Sequence, residues 1–414
     1  MKIVLKDCHI YRKGRFELVD MLSLDGCMGS VSEKALGAEP FLQFRNCHIL
    51  PGFVDVHVHF REPGFSYKET VKTGSLAAAH GGYVRVCTMP NLNPVPDTLE
   101  HLQVQLDAIK RDAVIDVAPV GAITKGECGI DLSDMEDMAP LVAGFSDDGR
   151  GVQSREVMKA AMEKSKALGK IIVAHCEDDA LRAGGYIHAG AYARVHGHKG
   201  ISSESEWAPI ARDLELVRET GCAYHVCHVS TKESVDLIRK AKAEGLDVTC
   251  ETAPHYLLLD DSDLEEDARF KMNPPLREKA DKEALIQGIL DGTVDMIATD
   301  HAPHSAEEKS RGLKDSMMGV VGLETAFPAL YTGLVKTGIV PLELLMKLLS
   351  ENPQKRFGAI KGESFSVWDL ESADWVDPKS FLSMGRSTPF LGERFFGKNL
   401  LTVADGKIVY NSQS

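Results

Sequence analysis

The sequence predicts an α/β fold: a (β/α)8 TIM barrel over residues 51–359, with a small β-sandwich-like domain built from both termini, 1–50 plus 360–414. Three observations predict it. Short apolar runs alternate with helical segments through the middle of the chain, and there are eight of them. The runs are apolar throughout rather than alternating, as strands covered by helices on both faces are. Both ends of the chain are β-like and show no long helical period. A chain of 414 residues is long enough for one large barrel with an appendage.

In order, the N-terminal region carries β-like runs at Lys2 to Leu5, Met21 to Leu24 and Cys47 to Leu50. The barrel strands are predicted at Phe53 to His57, Tyr83 to Thr88, Val114 to Val120, Leu141 to Phe145, Ile171 to His175, Ala223 to His228, Asp247 to Glu251 and Asp295 to Thr299. Helices are predicted between most of them, at Lys68 to Ala79, Leu99 to Lys110, Glu156 to Leu168, Glu206 to Thr220, Lys232 to Glu244 and Lys282 to Leu290. The C-terminal region returns to strand-like runs at Ser366 to Leu370 and Trp375-Val376, and Leu400 to Tyr410 resembles a hairpin turning at Asp405-Gly406. An open doubly wound sheet is the alternative, but no Gly-x-Gly-x-x-Gly follows the first strand and eight repeats favour closure.

Composition narrows the function classes. The 61 acidic side chains outnumber the 47 basic ones, and a formal charge of −14 disfavours nucleic acid or an anionic membrane as partner. A local basic pocket for a small anion is still compatible with it. No run reaches the roughly 18 apolar residues that span a bilayer, and Met1 to Asp7 lacks the apolar stretch of a signal peptide, so a cytoplasmic location is expected. The nine cysteines are scattered with no Cys-x-x-Cys pair, which fits reduced thiols better than a disulfide framework.

The chemistry-bearing stretch is Pro51-Gly52-Phe53-Val54-Asp55-Val56-His57-Val58-His59-Phe60-Arg61-Glu62-Pro63-Gly64. Period-two alternation puts His57 and His59 on one face, where two imidazoles can hold a divalent metal and Arg61 can meet an anionic substrate. Taken alone, His-x-His fits two core histidines equally well. The other strand ends break the tie. Ser146-Asp147-Asp148-Gly149, Ala174-His175-Cys176-Glu177, His225 to Ser230 and Ala298-Thr299-Asp300-His301 all place nitrogen or carboxylate donors at the C-terminal ends of predicted strands, where barrel enzymes carry their sites. Donors enough for two ions sharing a carboxylate converge there.

Six stretches carry a resemblance: 51–64 as quoted, Thr-Met-Pro-Asn at 88–91, Ala-His-Cys-Glu at 174–177, His-Val-Ser-Thr-Lys-Glu-Ser at 228–234, Met-Asn-Pro-Pro-Leu-Arg at 272–277 and Ala-Thr-Asp-His-Ala-Pro-His at 298–304. Together they resemble the bacterial dihydroorotases, in the cyclic-amidohydrolase group of the amidohydrolase superfamily. The likeness covers nearly the whole chain. It implies that His57, His59 and Asp300 hold a first zinc and that His175 and His228 belong to a second. Relatives such as hydantoinases and allantoinases bridge the two with a carboxylated Lys after the fourth strand. This chain has Asp147-Asp148 instead, as in the branch bridged by Asp, and Asp148 aligns with the ligand.

The resemblance further implies reversible cyclisation of N-carbamoyl-L-aspartate to L-dihydroorotate with one or two Zn2+ per chain. Asp300 would move the proton, while Arg61, Asn91 and His304 would hold the substrate carboxylate and Asn273 would lie by the ring. A homodimer and association with aspartate transcarbamoylase are implied partners. The alternatives are a related cyclic amidase (hydantoinase, dihydropyrimidinase or allantoinase) and a catalytically silent scaffold. After the last strand, the polar stretch 305–318 is expected to be either a lid or a plain solvated connection.

Overall fold

Both termini contribute to a single sheet. The computed structural model describes residues 2–24, 27–29 and 41–413. Strands β1 (Lys2–Arg12), β2 (Arg15–Leu24), β3 (Cys27–Gly29), β4 (Phe41–Arg45) and β5 (His48–Pro51) come from the start of the chain. β5 then pairs antiparallel with a strand from the far end, Phe365–Trp375, which leads through Arg394–Ala404 to Lys407–Asn411. The eight strands form one sheet, and Ile3, Leu5, Ile49, Val367, Leu401 and Val403 share its buried face. Asp405 and Gly406 turn the last hairpin with φ of 49° and 72°, the left-handed pair that a two-residue turn needs.

Between the termini lie β6 (Phe53–Val58), β7 (Tyr83–Thr88), β8 (Asp116–Pro119), β9 (Gly121–Ala122), β10 (Phe145–Ser146) and β11 (Ile171–Ala174). A small pair follows, β12 (Ile187–His188) and β13 (Gly200–Ile201), and then β14 (Ala223–Val226), β15 (Val248–Thr252) and β16 (Met296–Ile297). Apart from the β12–β13 pair, these strands form two parallel sheets, ordered β6-β7-β8 and β9-β10-β11-β14-β15-β16. β8 and β9 are one run of chain broken at Val120. Beyond β16, His301 bridges in parallel to Val58, and the His59 N–H donates to the His301 carbonyl at 2.8 Å.

Helices occupy the connections because their apolar stripes have the strands to cover. On β11, Ile171 and Val173 enter a cluster made largely of strand residues, including Val54, Val56, Val120 and Met296. Ile172 and Ala174 point the other way, into the larger cluster that includes Met162, Leu214 and Ile238 from the helices. The helices at Leu99–Asp112, Arg155–Ala167, Glu204–Thr220, Lys232–Ala243 and Lys279–Asp291 agree with the sequence expectation to within three residues. The one expected from Lys68 starts at Val71 instead, because Thr70 caps it: the Thr70 hydroxyl accepts from the Thr73 N–H at 3.1 Å.

Some expectations are corrected. The strand expected over Leu141 to Phe145 starts only at Phe145: Ala139–Leu141 is a 3-10 turn containing Pro140, and regular strand is confined to Phe145–Ser146. Gly144 lies so close to β11 that a Cβ there would come within 2.8 Å of the Ile171 side chain. Val114 to Val120 and Asp295 to Thr299 narrow to the short pieces given above. No helix among the described residues is long and apolar enough to cross a membrane.

Candidate metal centre

His57 is the penultimate residue of β6, and His59, Asp148, His175, His228 and Asp300 follow within three residues of the ends of β6, β10, β11, β14 and β16. His57 Nε2 lies 3.3 Å from Asp148 Oδ1 and 3.6 Å from Asp300 Oδ1. His59 Nε2 lies 3.1 Å from Asp300 Oδ1 and 3.5 Å from Asp148 Oδ2. His175 Nδ1 and His228 Nε2 approach Asp148 Oδ1 to 3.6 and 3.7 Å, and each other to 2.9 Å. Asp148 thus stands between four imidazoles. Its neighbour Asp147 faces elsewhere, accepting from the Ile123 and Thr124 N–H groups and from the Thr124 hydroxyl.

The backbone turns these groups inward at some cost. Arg61, His228 and Asp300 have φ of 56°, 35° and 48°, a region that non-glycine residues rarely occupy and that concentrates at functional sites. On β14, Tyr224 and Val226 face the helix-covered cluster. Alternation alone would send His228 the same way, and its left-handed backbone redirects it.

Charge inside the cluster is mutually dependent. Burial pulls the His57 imidazole down, and the Asp148 charge more than reverses it, holding it well above the ordinary range. Burial pushes Asp148 up, but His57, His175 and His228 together hold it well below the carboxylate range. His59 is held down by burial. Burial pushes Asp300 up, and the hydrogen bond from His59 with the charges of His57 and His228 brings it below its usual value.

The donor set fits a divalent metal. His57 Nε2 and Asp148 Oδ1 are buried without any hydrogen-bond partner, which is costly unless something else satisfies them. Ligand atoms about 2.0–2.1 Å from a tetrahedral zinc lie roughly 3.3 Å apart. The spacings above bracket that value. His57, His59 and Asp300 form one group of three donor atoms within 4.8 Å of one another, and His57, Asp148 and His228 form another.

Glu251, at the end of β15, was missed in the sequence. Its Oε1 accepts from His57 Nδ1 at 2.8 Å and its Oε2 from His225 at 2.5 Å. A carboxylate can only accept, so His57 Nδ1 carries a proton toward Glu251 and Nε2 is the nitrogen turned to the cluster. The rule that flagged the other strand ends also flags this one.

A cavity of about 470 Å³ opens onto the cluster, and Arg61, Asn91, Asn273 and His304 all line it. Arg61 is buried, with its Nε donating to the Pro303 carbonyl at 3.2 Å. Asn273 presents a buried amide oxygen with no partner. Asn91 Oδ1 lies 2.9 Å from His59 Nδ1, a hydrogen bond that orients the ring without enforcing its tautomer. His304 Nε2 donates to the Met318 carbonyl at 2.8 Å, and burial with Arg61 and Lys68 holds its pKa down to about 3, so the ring is neutral. Residues 316–319 line the cavity, and the segment before them is held by Lys309, whose ammonium donates to the Lys271, Met317 and Gly319 carbonyls at 3.1, 3.0 and 2.8 Å.

Parallel strands with imidazoles and carboxylates gathered at their C-terminal ends are what a metal-dependent hydrolase needs, and comparison with known proteins narrows the class. The structure matches L-hydantoinase (dihydropyrimidinase) from Arthrobacter aurescens with a TM-score of 0.84 and 26% identity, over 99% of this chain and 96% of that one. It matches a D-hydantoinase with a TM-score of 0.85 at 21% identity, a likeness of fold. Residues 47–234 match the family model described as dihydro-orotase-like. The dihydroorotase of Fusobacterium nucleatum is 51% identical over 99% of this chain and 98% of its own length, and that of Bacillus cereus strain AH820 is 46% identical over 98% and 97%. The chain belongs to the dihydroorotase family.

Proposed function

We propose that this site closes N-carbamoyl-L-aspartate to L-dihydroorotate and opens the ring in reverse, using one or two Zn2+. The observation that carries the reading is Arg61 beside a six-donor cluster in one cavity, with an Asp rather than a Lys between the two halves of the cluster. When bound, a divalent ion supplies Lewis acidity that acidifies water and polarises an amide carbonyl. His57, His59 and Asp300 would hold the first ion, His175 and His228 the second, and Asp148 would bridge them.

In ring opening, an Asp300 carboxylate oxygen takes the proton of the attacking water and delivers it to the ring nitrogen as the C–N bond breaks. In closure the same oxygen takes the proton from the carbamoyl nitrogen and gives it to the departing oxygen. Arg61 pairs with the carboxylate that both substrates keep, a charge-assisted contact that also fixes which ring amide meets Asp300. His304, neutral, and Asn91 complete that side, and the Asn273 amide oxygen is placed to accept a ring N–H. Residues 305–318, held by Lys309, act as the lid.

The parallel strands are taken as one closed (β/α)8 barrel, supported by the continuity of β8 with β9 and by the Val58–His301 bridge. Residues 1–50 with 360–414 are taken as the second domain, supported by the sheet that joins them. A homodimer and association with aspartate transcarbamoylase are proposed from the family resemblance, and cytoplasmic location from the sequence expectation above; light scattering with and without the transcarbamoylase tests the assemblies. The function itself is tested by following dihydroorotate formation from carbamoyl-aspartate, with hydantoin and dihydrouracil as competing ring substrates. Turnover of dihydroorotate at least 100-fold above either supports the reading, and a preference for hydantoin overturns it.

A further inference from the structure

At the opposite ends of the parallel strands lies a larger cavity, about 670 Å³, that the reaction does not use. Ile171 and Ala223, the first residues of β11 and β14, line it. Four cations line it as well, Arg85, Lys166, Lys170 and Arg356, against a single lining carboxylate, Asp247. In a chain of net charge −14 such a concentration of positive charge is a local construction.

Part of that charge is accounted for by the fold. The helices Arg155–Ala167 and Glu204–Thr220 end here, and cations suit helix C-termini. Lys166 Nζ donates to the Thr220 carbonyl at 2.6 Å and Lys170 Nζ to the Val142 carbonyl at 2.8 Å. Arg85 pairs with Asp116, which also takes Lys361 at 2.8 Å, and Arg356 pairs with Asp247 at 2.5 Å.

The remainder is not accounted for. An ammonium has three N–H donors, and only one on each lysine is bonded to the protein. Neither lysine has a carboxylate partner, and burial alone, with no acid to oppose it, lowers the Lys170 pKa. The Nε of Arg85 and the Nε of Arg356 are both buried without a hydrogen-bond partner. The other guanidinium nitrogens are already bonded, Arg85 to Asp116 and the Phe357 carbonyl and Arg356 to Asp247 and the Tyr224 carbonyl, so the donors left for a ligand are those of the two ammoniums within the field of four cations, a set that suits an acceptor that is anionic and carries several oxygens.

We propose that this cavity is a second ligand site, remote from the metal cluster, that binds a dianionic phosphate group between Lys166, Lys170, Arg85 and Arg356. Phosphate offers tetrahedral oxygens to ammonium donors arriving from different directions, and the guanidiniums beside them add to the positive field. The cavity exceeds what a bare phosphate fills and lies within the size range of small-molecule sites, so a phosphate ester of nucleotide size can be accommodated.

The test is titration of the zinc-loaded full chain with inorganic phosphate and, separately, with adenosine 5′-monophosphate, at low ionic strength, followed by 31P NMR line broadening and by calorimetry. Saturable one-to-one binding is expected in the wild type and in Arg61→Met, which removes the cation of the other cavity. The Lys166→Met/Lys170→Met double variant should bind at least tenfold more weakly, and the Lys166→Arg/Lys170→Arg variant should recover most of the affinity. Unchanged dihydroorotate turnover in the double variant serves as its folding control. Tighter binding of the monophosphate assigns an ester and equal binding assigns free phosphate, both within the proposal. Absence of saturable binding, equal affinity in the Lys→Met variant, or loss of binding in Arg61→Met would each overturn it.

Discussion

Where the parallel strands finish, His57, His59, Asp148, His175, His228 and Asp300 bring acids and imidazoles within 3.1–3.7 Å of one another, and Arg61, His228 and Asp300 hold left-handed backbone to do so. Where the same strands begin, Lys166, Lys170, Arg85 and Arg356 face a cavity with one acid among them, and their backbone is ordinary. The first end couples its groups so tightly that each sets the protonation of the next. At the second end each arginine has its own carboxylate, and the two lysines are held by backbone carbonyls alone. A site that must hold metal and move a proton needs interdependence, whereas a site that attracts an anion needs only surplus donors.

The largest expected effect tests the coupling directly. Asp300→Asn keeps much of the side chain's shape but cannot carry the proton, so turnover should fall by roughly 10²–10⁴ in both directions with metal content retained. Metal analysis beside the two assays checks it, and near-normal turnover in either direction would remove Asp300 from the proton path. Arg61→Met comes next. Losing a charge-assisted contact worth about 1.5–3 kcal/mol should lower kcat/KM for dihydroorotate roughly 10- to 150-fold. A ring without the carboxylate should be nearly unaffected, and equal losses on both would take Arg61 out of the carboxylate site.

Glu251→Gln sharpens the comparison at one remove. An amide can donate to His57 as well as accept from it, so the imidazole loses its enforced tautomer. Metal affinity, measured by competition with a chelating dye, should weaken by about 10- to 100-fold. Affinity equal to the wild type would reduce Glu251 to packing.

The smallest effect lies outside both ends. His48, in the terminal sheet, is lowered to about 4 by burial and His9, and His188, on β12, to about 4 by burial and Arg277. In the unfolded chain both titrate near 6.5. As pH falls below about 6.5 the unfolded chain binds protons that the fold does not, so stability should decline from there to about pH 4. Thermal melts of His48→Gln and His188→Gln should each show a shallower decline, and an unchanged slope in both would assign acid sensitivity elsewhere.

Much of this was legible in the sequence because it is periodic. Tyr83 to Thr88 and Ile171 to Ala174 are strands as expected, since continuous apolar runs between helical segments leave few other readings. The donors at the finishing ends were legible because a barrel reading fixes which end of each strand matters. Glu251 is hidden in the sequence because it closes a strand run and reads as part of it, and the strand expected at Leu141 fails because Pro140 forces a turn there. Left-handed backbone at Arg61, His228 and Asp300 cannot be read from residue type. The cations of the opposite cavity lie on three separate stretches with no shared motif, so only the folded chain gathers them.

The measurement that tests the account most directly is a zinc-edge anomalous difference map from crystals of the zinc-loaded protein, paired with His57→Ala. The account expects density among His57, His59, Asp148 and Asp300, with or without a second peak by His175 and His228, and its loss or marked weakening in the variant. Density instead at His188, Asp261 and Glu278, another set of donors close enough to hold an ion, or an unchanged peak in His57→Ala, would contradict it.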